Sequence, residues 1–221
     1  MPAGFSFNQY LIVAEEPLLF HCGPRMMFPL VSAAPAKIVR LERLRWIAFG
    51  HVEADECGSL HLWLEAAPKA QITHGHATCM VSLNDLTDRA PRALANDEVP
   101  DIGGRRARHI DTPHVPHARD SGLIDEEITD TPFCGDLVAH FGRGPATAKT
   151  TSPRPLSPPR KLSRRRRSRR PPGPTIRMLA ALRPCRLAVM HGSRHAGDCS
   201  APSTKPAEYY ERALAAKTAA P

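Results

Sequence analysis

The segment FGHVEADECG (residues 49–58) places one His, three carboxylates and a Cys within eight positions, directly after the apolar run RWIAFG (residues 45–50). Three interpretations compete: a charged turn in solvent, a general acid/base pair, or half of a metal site. If the chain is extended here, His51, Glu53 and Asp55 point to the same side. The rest of the sequence has to decide between these interpretations.

Short apolar runs alternate with helical patterns along much of the chain, which predicts a layered α/β fold. A nearly all-apolar run such as LRWIAFG (44–50) is typical of a strand buried on both faces. The other predicted strands are QYLIVA (9–14) paired with PLLFHCG (17–23), AQITHG (70–75), DEVPDIGG (97–104) paired with RARHIDTPH (106–114), SGLIDEEIT (121–129) paired with TPFCGDLV (131–138), and CRLAVMHG (185–192). Helices are predicted for SLHLWLEAA (59–67), HATCMVSL (76–83), TIRMLAAL (175–182) and AEYYERALAAK (207–217).

Four of these strands end in polar clusters that carry His or Asp. The clusters are Gly50–His51, Thr112–His117, Gly135–Asp136 and Met190–His191–Gly192. Because rigid strands direct the loops at their ends into a common crevice, we expect these side chains to converge. Three imidazoles and three carboxylates can hold two hard or borderline divalent ions with one bridging carboxylate. The pattern therefore favours a metal site over an acidic turn.

The net charge of +8 does not describe the whole chain. Residues 149–174 contain ten Lys and Arg and no acid, so the remainder is near neutral. Such a block, with seven prolines, is predicted to be a disordered insert. Two alternatives stay open: the trace of two compensating frameshifts, and unspecific nucleic-acid contact through residues 160–170, which carry no aromatic side chain for base stacking.

The remaining composition indicates a protein that does not enter a membrane. No run of eighteen apolar residues is present, and the N-terminus lacks the basic region of a signal peptide. Six cysteines are scattered without a CxxC pair, as expected for reduced thiols. We therefore expect a cytoplasmic protein.

The segments HVEADECG (51–58), DTPHVPHARDS (111–121), FCGDL (133–137) and AVMHGS (188–193) together resemble the metal-binding motifs of the metallo-β-lactamase superfamily. They are most similar to the oxygen-binding di-iron domain of flavodiiron proteins, whose branch replaces the second His of the HxHxDH motif by Glu. Glu53 matches that replacement. The resemblance implies an α/β protein with an αβ/βα four-layer sandwich. Residues 1–148 would form its first part and residues 175–221 its completion.

Carried over residue by residue, the resemblance implies two metal ions. His51, Glu53 and His117 would hold one ion, Asp55 and His191 the other, and Asp136 would bridge them. Mixed carboxylate and imidazole ligands favour iron over zinc or manganese. No catalytic residue apart from these ligands and no flavin-binding stretch is predicted.

Two positions depart from the family pattern. The last motif residue is usually His but here is Glu56, which leaves a carboxylate, a water or an open position at the second metal. The third motif offers both His114 and His117. The step of nineteen residues to Asp136 suits the di-iron spacing and favours His117.

Most of the remaining His and Cys residues are expected to have structural or surface roles. His74 and His76 are expected in a surface loop and His61 on a helix, while His21 and His109 are structural. His140 and His195 are weaker candidates for the site. Cys57 and Cys134 are expected to be buried thiols and not thiolate ligands.

The resemblance implies a protein that binds, senses or reduces O₂ or NO. Reduction would need a separate electron-donor protein, since this chain has no room for a flavodoxin-like domain. The alternative is a hydrolase of an ester, thioester or lactone that uses a metal-bound hydroxide. A third class is a basic interaction protein with an inactive core. A small-molecule ligand and a homodimer complete the expected partners.

Overall fold

The computed structural model describes residues 4–139, 142, 144–148 and 172–197. The strands are β1 (Tyr10–Ile12), β2 (Leu18–Phe20), β3 (Trp46–Ala48), β4 (Gln71–Gly75), β5 (Arg92–Leu94), β6 (Ala107–Asp111), β7 (Gly122–Glu126), β8 (Thr131–Gly135), β9 (Thr147–Ala148), β10 (Arg186–Val189) and β11 (Arg194–Ala196). The α-helices are α1 (Phe28–Ser32), α2 (Ala54–Cys57), α3 (Leu60–Ala66), α4 (His76–Thr78), α5 (Asn84–Leu86) and α6 (Pro172–Ala181). A π-helical turn, Cys79–Leu83, joins α4 to α5.

Two sheets organise the described residues. The first has the order β1-β2-β3-β4-β5, in which β1 and β2 form an antiparallel pair and the later pairs are parallel. The second has the order β6-β7-β8-β10-β11-β9 and is mixed. Parallel neighbours place several strand ends at one edge of each sheet, which is where a shared site can form.

Side chains from both sheets meet in the centre of the fold. Phe20 and Trp46 of the first sheet belong to the same buried cluster as Ile124, Phe133 and Ala188 of the second. Alternation along each strand sends the intervening residues outward. A second cluster packs Leu19, Ile47 and Ile72 against Leu60, Trp63 and Leu64 of α3, and a third packs Leu123 and Leu187 against Leu179 of α6. The layer order is therefore helix, sheet, sheet, helix, and the predicted αβ/βα sandwich is confirmed.

Most of the predicted elements are present. The antiparallel pairs at 9–23 and 121–138, the strand at 44–50 and the helices at 59–67 and 175–182 are confirmed. The predicted strand at 97–104 is wrong: this segment joins β6 through a few backbone hydrogen bonds and an isolated bridge between Asp101 and Arg106, and the strand lies earlier at β5. Arg92–Leu94 is a short edge strand with a charged residue, so its apolar signal is weak.

The predicted insert falls mostly outside the described residues. Helix α6 begins at Pro172, so its first three residues lie within the predicted insert, which ends at 174. A proline is compatible with the first turn of a helix because its missing N–H would lack a helical partner there. The helix predicted at 207–217 also lies outside the described residues.

In the part of the chain that the structure describes, no helix has the length and apolar character needed to cross a bilayer.

Candidate metal centre

Four strand ends from the two sheets meet at one place. His51 lies three residues after β3 of the first sheet, while His117, Asp136 and His191 follow β6, β8 and β10 of the second. Hydrogen bonds hold these ends together: the Gly122 N–H donates to the Gly50 carbonyl (2.8 Å). The predicted convergence of distant polar segments is confirmed.

One group of donor atoms comes from His51, Glu53, His117 and Asp136, which each offer a ligand atom within 4.8 Å of the others. Glu53 Oε2 lies 2.7 Å from His51 Nε2 and 3.0 Å from His117 Nε2. The two imidazole rings are nearly perpendicular, with centroids 4.5 Å apart. One carboxylate oxygen is thus shared by two imidazole nitrogens, as donors around a cation would be arranged.

A second group adjoins the first through Asp136. His191 Nε2 lies 3.1 Å from Asp136 Oδ1 and 3.3 Å from Asp55 Oδ2. The side chains of His191 and Asp136 are 6% and 15% exposed, so this group is the more enclosed part of the site. All six residues that the sequence proposed as ligands are therefore near neighbours.

The local chain path explains why Glu53 and Asp55 can serve different groups. Glu53 is extended and directly precedes α2, which begins at Ala54. Asp55 therefore lies in the first helical turn, where a carboxylate interacts favourably with the helix dipole. The onset of the helix turns Asp55 toward His191 and leaves Glu53 beside His51 and His117.

The hydrogen bonds of His191 indicate that the site needs a positive charge. Its Nδ1 lies 2.7 Å from the Ser6 carbonyl oxygen, which can only accept, so Nδ1 carries a proton. In the neutral ring, the Nε2 lone pair would then face the carboxylates of Asp55 and Asp136. Negative and lone-pair atoms that converge in this way need a cation between them or a proton on Nε2.

The pKa shifts of His191 and His51 also indicate that positive charge is favoured at the site. Burial opposes protonation, but hydrogen bonds to Asp136 and Asp55 raise the pKa of His191 to about 10. Burial also opposes protonation of His51, yet Glu56 and Glu53 raise its pKa to about 9. A divalent ion would satisfy these carboxylates in place of the protons. The chemistry and convergence of the donors fit a metal centre.

Glu56 does not face the donor atoms. Its side chain is completely buried behind His51, where Oε2 accepts hydrogen bonds from the backbone N–H groups of Gly50 and His51 (both 2.7 Å). Burial alone would raise its pKa, but the neighbouring imidazoles of His21 and His51 lower the pKa of Glu56 to about 2. Of the options left open for this position, a carboxylate ligand is the one that this orientation disfavours.

The remaining candidates separate clearly. Within TPHVPH, His117 and not His114 belongs to the donor group.

The surface-loop prediction for His74 is wrong, because the side chain is buried in β4, whereas His76 is exposed as predicted. His195 lies in β11 with Nδ1 3.2 Å from the Ala148 carbonyl, in the β9–β11 pair. His140 lies outside the described residues.

The cysteines near the site behave as thiols. Burial raises the pKa of Cys57 to about 11, and its Sγ–H donates to the Glu53 carbonyl (3.2 Å). Cys134 is buried in the second sheet as predicted, whereas Cys57 is only partly buried. Neither arrangement favours a thiolate.

The N-terminal segment, residues 4–8, supports the site in a way that the sequence patterns did not predict. Phe5 stacks on the His191 ring with centroids 4.1 Å apart, and Phe7 meets the same ring edge-on at 5.6 Å. The Asn8 side chain donates to the carbonyls of Val189 (2.9 Å) and Gly192 (2.7 Å). This segment fixes the strand end that carries His191, from more than 180 residues away in sequence.

Comparison with solved structures shows the same fold in flavodiiron proteins. Rubredoxin oxygen:oxidoreductase from Desulfovibrio gigas matches with a TM-score of 0.76 and 17% identity, over 95% of this chain and 55% of that one. The flavodiiron core from Synechocystis sp. PCC6803, in a metal-soaked crystal, gives 0.74 and 19%, over 98% and 54%. A diflavin flavoprotein fragment from Nostoc sp. PCC 7120 gives 0.75 and 13%, over 96% and 86%. The chain thus spans about half the length of the first two proteins.

No curated protein sequence matches the chain. The family model described as ODP family beta lactamase matches residues 5–152, which include five of the six proposed ligands. The resemblance seen in the motifs is confirmed at the level of fold and family. The chain belongs to the ODP family of β-lactamase-fold proteins.

Proposed function

We propose that this chain houses a binuclear metal centre, with iron as the preferred metal, that binds, senses or reduces O₂ or NO. His51, Glu53 and His117 hold one ion, Asp55 and His191 hold the other, and Asp136 is shared. The position of Asp136 supports this division, since it belongs to the four-residue donor group and also lies 3.1 Å from His191.

The observation that carries the proposal is the orientation of His191. The Ser6 carbonyl occupies Nδ1, so Nε2 is the nitrogen left to face the carboxylates of Asp55 and Asp136. A partner that fixes one imidazole nitrogen while the other is presented to anionic ligands is typical of metal-binding histidines. Two carboxylates beside one enclosed nitrogen concentrate negative charge that a metal ion would neutralise.

The carboxylate content supports iron. Three carboxylates accompany three imidazoles, and mixed oxygen and nitrogen donors suit non-haem iron better than the imidazole-rich sites typical of zinc. When bound, two iron ions would supply the electrons and the open coordination positions that O₂ or NO chemistry requires. The chain's own residues orient the imidazoles, and Phe5 and Phe7 cover one side of His191.

Catalytic reduction would draw electrons from a separate donor protein, whereas sensing would not need one. The structurally similar proteins include an oxygen:oxidoreductase and a flavodiiron protein, which supports the redox class for this chain. Hydrolysis of an ester, thioester or lactone is the competing activity, and metal identity distinguishes the two.

Metal content is the deciding experiment. Protein purified without added metal is analysed by inductively coupled plasma mass spectrometry, and its visible spectrum is recorded anaerobically and after air. We expect about two iron ions per chain and an air-dependent near-ultraviolet band. Zinc with esterase turnover would replace the redox proposal by hydrolysis, and protein without metal would contradict the centre itself.

A further inference from the structure

Glu56 occupies the motif position where the family usually has His, yet its carboxylate is turned into the protein. The side chain is 0% exposed. Both Gly50 and His51 donate their backbone N–H groups to Oε2 (2.7 Å each), and the Cys22 N–H donates to the Glu56 carbonyl (2.6 Å). These contacts anchor the carboxylate beneath the loop that carries His51.

The other carboxylate oxygen faces imidazoles. Glu56 Oε1 lies 3.3 Å from His51 Nδ1 and 3.5 Å from His21 Nε2. His51 Nε2 is the nitrogen that meets Glu53 in the donor group. A carboxylate at Nδ1 therefore favours the tautomer with the proton on Nδ1 and leaves Nε2 free to bind a cation.

The fold makes room for this carboxylate at two glycines. A Cβ atom on Gly50 would lie 3.0 Å from Glu56 Oε2, and one on Gly135 would lie 3.3 Å from Oε1. These glycines directly precede His51 and Asp136. The carboxylate is thus wedged between two of the strand ends that supply the donors, so that its position affects both.

His21 packs against the same carboxylate oxygen of Glu56, without a hydrogen bond to it. It is completely buried, and its Nδ1 lies 3.2 Å from the Asn8 carbonyl oxygen. Its backbone has φ +68°, a left-handed conformation that is uncommon for residues other than glycine. A chain of contacts therefore runs from Asn8 through His21 and Glu56 to His51.

We propose that Glu56 is a positioning residue that fixes the tautomer and orientation of His51 toward the metal, with His21 packed against its carboxylate. This inference rests on the proposed function, because it takes His51 to be a metal ligand. It replaces the expectation that a carboxylate at position 56 could itself bind the second metal.

The test is Glu56→Gln, which keeps size and shape. If the amide oxygen keeps the two backbone hydrogen bonds, the amide N–H₂ faces His51 Nδ1 and a donor replaces the acceptor. We expect affinity for Fe²⁺ or Co²⁺ to fall roughly 10- to 100-fold, while saturating metal still binds at the wild-type stoichiometry. The visible spectrum of the Co²⁺-loaded protein should shift because the His51 ligand is altered. Glu65→Gln, the same change at an exposed site on α3, should leave both unchanged.

Two outcomes would overturn the inference. Loss of one metal equivalent at saturation would make Glu56 a ligand. Wild-type affinity and spectrum in a variant that only melts earlier would make it a purely structural residue.

If Glu56→Gln does not fold, His21→Gln decides: a shifted Co²⁺ spectrum at wild-type stoichiometry supports the inference, and an unchanged spectrum contradicts it. Wild-type protein that binds no metal would refute the proposed function itself, which separates the two failures.

Discussion

Asp136 is the residue on which the two donor groups depend together. It belongs to the His51, Glu53 and His117 group and lies 3.1 Å from His191. Asp136→Ala should therefore lower metal content well below two ions per chain, whereas a residue that serves one ion would affect only that ion. Elemental analysis of purified protein measures this. His61→Ala, on the exposed side of α3, is the control and should retain full metal. Unchanged content in Asp136→Ala would refute the shared-ligand assignment.

Asp125 gives a pH-dependent prediction away from the site. This carboxyl group lies in β7, and burial, followed by repulsion from Glu127, raises its pKa to about 6. The folded state therefore retains a proton that the unfolded chain loses near pH 4. As pH rises through this window the free energy of unfolding falls, and the loss persists above pH 6.

Asp125→Asn should remove this pH-dependent decrease in the free energy of unfolding. We expect the free energy of unfolding at pH 7.5 to rise by about 1 to 2 kcal/mol, with little change at pH 4. Urea unfolding at both pH values measures the difference. Asp85→Asn, at an exposed position in α5, is the matched control. Equal stability of wild type and Asp125→Asn at pH 7.5 would show that the buried carboxylate does not lower the free energy of unfolding.

Among the elements, the N-terminal segment (residues 4–8) has an effect larger than its length suggests. Asn8→Ala removes the two hydrogen bonds to the carbonyls of Val189 and Gly192. We expect a loss of stability of about 1 to 3 kcal/mol, because the Gly192 carbonyl loses this donor and the Val189 carbonyl keeps that of the Tyr10 hydroxyl. Affinity for the ion near His191 should weaken more than affinity for the ion near His117. Metal titration and thermal unfolding test this.

The control for this element is Asn84→Ala, which changes an exposed asparagine in α5. Wild-type stability and metal affinity in Asn8→Ala would contradict the role of the segment. A uniform loss of affinity at both ions would instead indicate a general effect on folding.

At the scale of the whole molecule, the Arg- and Pro-rich tract can be tested by replacement. The described core continues to β9 before the tract and resumes at α6 after it. We expect that substituting a Gly/Ser linker for residues 150–171 leaves metal content and melting temperature unchanged, as for a passive insert. Loss of metal would show that the tract contributes to the core.

The same variant tests the charge of the tract. Any retention of the wild-type protein on nucleic acid should be lost on linker substitution or in a few hundred millimolar salt, because phosphate contacts depend strongly on salt. Salt-resistant retention by the linker variant would place a binding surface in the folded core.

The sequence predicted an α/β fold, the two hairpins β1–β2 and β7–β8, and the convergence of the six proposed ligands, while the four-layer order came from the family resemblance. Apolar periodicity is a local property, and His and Asp at strand ends can be read without knowing the fold. Position 53 also stood out from the motif alone. The weak strand β5 and the pairing of β9 with β11 were missed, because short edge strands carry little apolar signal.

Only the tertiary structure decided the side to which Glu56 turns and what holds the imidazoles. Helix α2 begins at Ala54 and directs Glu56 inward, but its burial depends on His21 and Gly135, which are distant in sequence. The acceptor for His191 is a backbone carbonyl at Ser6, and backbone atoms carry no residue-specific signal. Ligand identity follows from side-chain chemistry, whereas ligand orientation follows from contacts that exist only once the chain has folded.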